Sequence, residues 1–171
     1  MPIDIQTPRL VTKVSPRTIL AQHFRSLGEL PIKGGWGYSL EDAVFIDKDD
    51  SIVPKGVPFN GISIQYAFVE KRIYEELIIY RDEDDRYSGI EWRQLKQSLV
   101  CHDGREFDHL TYEVTAIPDR DWNSLKAEWE GLNGYGTPNF DEEAHVAKHN
   151  AKKSSLQDGI LVRYYQFLWK K

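Results

Sequence analysis

Hydrophobic and polar positions alternate most regularly between residues 106 and 117. Leu110, Tyr112, Val114 and Ala116 interleave with His109, Thr111, Glu113 and Thr115, the two-residue period of a strand with one buried face. Residues 90–101 form a second run of the same kind, joined to the first by His102-Asp103-Gly104-Arg105. An Asp-Gly pair supplies the positive φ angles of a tight turn, so the pattern predicts an antiparallel hairpin pairing 95–101 with 106–116. Pro118 ends the second strand. A helix capped by Asp119 or Asp121 should follow, carrying Trp122, Leu125, Lys126 and Trp129 and closing at Gly131. Asp141 starts another helix over EEAHVAKHNAKK, and residues 160–169 read as a final strand.

The first half of the chain is less regular. Ser15 and Pro16 can start a helix, with Ile19, Leu20, His23, Phe24 and Leu27 on one face and Gly28 as its stop. A glycine-rich loop (residues 31–39) and a short strand (43–47) come next. Residues 62–80 admit two readings. Ile62, Ile64, Tyr66 and Phe68 alternate like a strand, whereas Ile62, Tyr66, Val69, Ile73, Leu77 and Tyr80 recur at a helical period. The β-branched and aromatic ends favour two strands broken near 70–72, and a helix stays open. Antiparallel strand signals beside separate helices predict an α+β fold: an antiparallel sheet with flanking helices, in one domain over 1–171 with residues 1–14 as an extended arm.

The 171 residues, 40% of them hydrophobic, suffice for a core without disulfide or structural metal. No apolar run reaches the roughly 18 residues of a membrane span, the first residues lack a secretory pattern, and Cys101 is the only cysteine. A cytoplasmic protein without a membrane partner is the expectation. Charge is uneven along the chain. Residues 41–86 carry twelve acidic against six basic side chains, while residues 1–40 carry two against five. Nucleic-acid binding calls for a basic stripe that displaces counterions from phosphates, and none is present. An acidic middle suits a basic protein partner instead.

Catalytic patterns are weak. The pair Gly34-Gly35 lies beside Trp36 and Gly37 without the signature of a phosphate-binding loop, there is no nucleophile elbow, and Cys101 at a strand end reads as a small buried hydrophobe. His102, Asp103, Asp108 and His109 gather at the hairpin tip, an exposed place unsuited to shifting a pKa. Glu142, His145 and His149 share a helix face and could meet one metal ion, although that face otherwise reads as solvent-exposed. No cofactor and no catalytic residue is assigned. Two glycine-aromatic loops stand out more: Trp36 and Tyr38 among glycines 34, 35 and 37, and Tyr135 between Gly134 and Gly136. Glycines bring rings close to another surface, and Trp and Tyr are common interface anchors. The first loop runs into Glu41, Asp42, Asp47, Asp49 and Asp50, so these residues with Trp36, Tyr38 and Tyr135 form the expected partner-binding set.

The segments GGWGYSLEDAVFIDK, DHLTYEVTA and DWNSLKAEWEG resemble a set of short, uncharacterised bacterial proteins over residues 31–140. The resemblance carries no activity and no site residue; it implies a bacterial origin and a likeness to the small acidic companions of bacterial toxins. The resulting expectation is an acidic binding module, an immunity or inhibitor protein against a basic toxin. A metal-assisted hydrolase using the helix histidines is the alternative.

Overall fold

A computed structural model describes residues 3–164. Among the described residues six strands and four α-helices follow in the order β1 (Ile3–Asp4), α1 (Pro16–His23), β2 (Ile32–Gly34), β3 (Val44–Ile46), α2 (Gly61–Tyr74), β4 (Tyr87–His102), β5 (Arg105–Pro118), α3 (Asp119–Glu130), α4 (Glu142–Lys152) and β6 (Ser154–Tyr164). They build one mixed sheet in the order β2-β3-β6-β5-β4, with β1 beside the start of β6. The α+β class therefore holds, and the sheet is mostly antiparallel; among the described residues the β1–β6 and β3–β6 pairs are parallel.

The β4–β5 hairpin is the spine of the sheet. It turns at Asp103-Gly104, both with positive φ, and pairs His102 with Arg105 through to Tyr87 with Pro118. Leu110, Tyr112, Val114 and Ala116 are all buried on one face, as the alternation predicts. They meet Ile19 and Leu20 of α1 and Phe68, Val69 and Ile73 of α2 in a single apolar cluster with Val44, Ile46, Ile160 and Val162. Ser15 caps α1 and Asp141 caps α4. Pro118 rather than Asp119 or Asp121 precedes α3, and no side chain caps it. The final strand begins at Ser154, six residues before the expected start; the part of that expectation beyond residue 164 lies outside the described residues. Cys101 is exposed, a correction to the buried expectation, because it sits near the tip of the hairpin beyond the helices.

Residues 61–79 are helical, which corrects the two-strand reading of 62–80. Asn60 caps α2 by accepting from the Ser63 N–H at 3.0 Å. The buried stripe is Gln65, Phe68, Val69, Arg72 and Ile73, a proper helical face with two polar members. The helical period in the sequence shares Val69 and Ile73 with this stripe, but Ile62 and Tyr66 are exposed while Gln65 and Arg72 turn inward. Beyond Tyr74 the helix widens into a π-turn over Glu75–Ile79, where the Tyr80 N–H reaches back five residues to the Glu75 carbonyl at 2.9 Å. The wider turn lets consecutive residues Glu75, Glu76 and Leu77 all face inward.

A polar network therefore runs through the core. The Arg72 guanidinium, fully buried, donates to the Trp36 carbonyl (2.9 Å), the Tyr112 hydroxyl (2.6 Å) and the Gly159 carbonyl (2.8 Å). It also stacks 4.4 Å from the Tyr38 ring centre and lies 3.6 Å from Asp158. Tyr38 donates to Glu76 at 2.6 Å and accepts from the Leu10 N–H at 3.1 Å, which pins the N-terminal arm over the network. Glu75 meets His23 Nδ1 at 2.5 Å through one oxygen, while its other oxygen, Oε2, is buried without a hydrogen bond among the described residues.

Burial raises the Glu75 carboxyl above the ordinary glutamate range, and the His23 contact only partly offsets this. Glu76 is raised for the same first reason, opposed by Arg72. A carboxyl with a folded pKa above its unfolded one holds extra protons when folded, so stability falls as pH rises from the unfolded value, about 4.3, through the folded one. Glu75→Gln should thus gain stability over the wild type at about pH 8 and differ little at about pH 4. Urea denaturation at both pH values checks this; an identical difference at the two would contradict it.

Candidate docking face

The first glycine-aromatic loop turns inward. A Cβ at Gly34 would stand 2.3 Å from the Ala43 carbonyl oxygen, and one at Gly37 would stand 2.6 Å from the Ile160 side chain. Both glycines have positive φ, so the loop can lie flat against residues 42–43 and β6 only with glycine at these places. Trp36, 3% exposed, packs 6.0 Å from the Phe68 ring centre and donates from Nε1 to Thr12 at 3.1 Å. The ring expected to reach outward belongs to the core. Its carbonyl and the Tyr38 hydroxyl serve the Arg72–Glu76 network instead.

The acids that follow are largely engaged as well. Asp42 accepts from the Ser39 hydroxyl at 2.8 Å, Asp47 is buried beside Lys33 Nζ at 2.9 Å, and Asp50 pairs with Arg17. The Arg17 hydrogen bond holds the Asp50 carboxyl below the usual range. Glu41 and Asp49 are exposed. Five of the seven expected partner-binding residues between 36 and 50 thus have an internal structural partner.

The second loop behaves differently. A Cβ at Gly134 would fall 2.1 Å from the Trp129 carbonyl oxygen, and the Tyr135 N–H donates to that same oxygen at 2.8 Å. Glycine lets the loop fold tightly over the end of α3. This lays the Tyr135 ring on Trp129, centres 4.3 Å apart and planes within 6°. Phe140 closes the cluster edge-on to Trp129 at 5.4 Å. Tyr135 is nonetheless 58% exposed and Leu132, beside it, 98% exposed. A rigid aromatic platform is therefore presented at the surface.

Helices α3 and α4 run antiparallel, as Glu128–His145 at one end and Trp122–His149 at the other require. Between them lies an apolar groove of about 390 Å³ lined by Trp122, Leu125, Trp129, His145, Val146 and His149. His145 is 6% exposed, its Nδ1 3.1 Å from Glu128 and its ring 5.3 Å from Trp129; the expectation of a solvent-facing histidine is corrected, because the aromatic cluster folds over that face of α4. Burial lowers the pKa of His149. Glu142 is exposed, and among the described residues no three His, Cys, Asp or Glu side chains gather to hold a metal ion. At the hairpin tip His102 lies 3.3 Å from Asp103, both exposed.

Acidic side chains stand at both ends of the groove. The turn Asp82–Asp85, all four residues exposed, packs beside α3, whose first N–H donates to the Arg86 carbonyl at 2.9 Å. At the opposite end Glu130, Glu142 and Glu143 are exposed. The sequence signals for this face were the Trp122–Trp129 spacing, the NGYG loop and the acidic run 82–85; what could not be read was that the first and last lie together. Comparisons with protein-family models, curated proteins and solved structures give no match to this chain.

Proposed function

We propose that this protein is a small acidic binding module that covers a basic protein partner, in the manner of an immunity or inhibitor protein facing a toxin. The supporting observation is the exposed Trp129–Tyr135 stack beside Leu132 and Val146, at one end of a groove whose other end meets the exposed acidic turn 82–85. Rigid aromatic rings with apolar neighbours supply a desolvated centre, and carboxylates around them speed encounter with a basic surface. Inhibition by coverage requires no chemistry of the module itself. Its docking face is α3–α4 with the 82–85 turn, and the expected Trp36 loop acts as scaffold.

A photo-crosslinking side chain placed at Leu132, and in a second sample at Glu41, tests the assignment in the cells that produce the protein. One basic protein crosslinked from position 132 and not from position 41 is the expected result. A partner captured from position 41 alone would return the binding surface to the first loop.

A further inference from the structure

The groove between α3 and α4 has the dimensions and charge of a cradle for one helix. Trp122 and Trp129 are seven residues apart on α3, two turns and about 10.5 Å along its axis. A guest helix repeats its own apolar side chains at that same interval, so its i, i+3 or i+4, and i+7 residues can enter beside Trp122, Leu125 and Trp129. Val146 and the rings of His145 and His149 form the opposite wall. The floor offers a guest few polar groups, which excludes a hydrogen-bonded strand as occupant: its backbone would lose water without gaining partners.

The rim specifies the flanks of that helix. Lys148 is tied to Glu128 at 3.0 Å and Lys152 to Asp121 at 3.8 Å, so two of the bases on α4 are compensated within the protein. Lys126 lines the groove, where its alkyl stem can cover apolar surface while its ammonium stays in water. The acids Asp82, Glu83, Asp84 and Asp85 at one end, and Glu130, Glu142 and Glu143 at the other, are exposed. We propose that this groove binds an amphipathic helix of the partner with an apolar stripe two turns long and lysine or arginine residues at both ends. The inference rests on the binding-module reading and specifies what the partner presents.

A synthetic leucine–lysine peptide of about four helical turns, with leucine on one face, serves as the probe, and its fluorescence anisotropy is followed as the full chain is added. Two controls keep the length: one scrambles the leucines off the common face, the other replaces lysine by glutamate. The patterned peptide should bind at least about tenfold more tightly than either control. Val146→Lys, at a half-exposed position, should weaken it about tenfold while leaving the melting temperature unchanged. Asp84→Lys with Asp85→Lys should slow association several-fold, and added salt should erase that difference. Equal binding of the scrambled peptide, or indifference to Val146→Lys, would overturn the helix assignment. If the peptide fails while a partner is still crosslinked from Leu132, only the helix inference falls; if both fail, the binding-module reading falls with it.

Discussion

Replacing Arg72 with methionine should destabilise the protein by about 3–5 kcal/mol, the range for removing one partner from a buried ionic group. The guanidinium is fully buried and joins four separate parts of the chain: the Trp36 loop, β5 through Tyr112, β6 through Gly159 and Asp158, and the π-turn through Tyr38 and Glu76. Methionine fills similar space but donates nothing, so two carbonyls and a phenol lose their partner and Glu76 loses its countercharge. Arg72→Lys should recover only a little, because one ammonium cannot span acceptors set out for a planar fork. The double variant Arg72→Met with Glu76→Gln should be more stable than the sum of the two single-variant changes implies, since neutralising Glu76 removes the orphaned charge. Urea unfolding of all four variants measures this. Additive losses would show that Arg72 and Glu76 act independently.

Trp36→Ala is expected to cost about 3–5 kcal/mol of stability, as large aromatic truncations in cores do. The ring fills the space between Phe68 and the N-terminal arm, and its loss also frees the Thr12 hydroxyl. Binding tells the two roles of this residue apart. If the ring is scaffold, the folded fraction of the variant binds the leucine–lysine peptide with wild-type affinity at low temperature. A stable Trp36→Ala protein with lost binding would instead make the loop part of the interface.

Much of the fold was legible because local chemistry and burial agree there. The β4–β5 hairpin is one example: a strict two-residue period flanks an Asp-Gly turn, and both features point to the same register. Residues 62–80 show the opposite case. Gln65, Arg72, Glu75 and Glu76 are buried in a helix whose inward face a hydrophobicity pattern reads as half polar, while Ile62 and Tyr66 lie exposed. Long-range partners such as the Trp36 and Gly159 carbonyls satisfy Arg72, and these contacts cannot be seen in the local sequence. The candidate site divides in the same way. Both glycine-aromatic loops carry the same local signal, and only the tertiary surroundings distinguish them: Gly37 abuts Ile160 in the sheet, whereas Gly134 abuts the exposed end of α3. The helix histidines likewise shared a face in sequence, but Glu128 and the ring of Trp129 claim His145.

The central claim is that the binding surface lies on α3–α4 and not on the first loop. Its most direct test is the nitrogen-15 NMR spectrum of the full chain titrated with the leucine–lysine peptide, read at the indole N–H signals. Those of Trp122 and Trp129 should shift with the backbone amides of 82–85 and 142–149, while that of Trp36 and the amides of 36–50 stay in place. Shifts centred on Trp36 and residues 41–50, with Trp122 and Trp129 unmoved, would contradict the account.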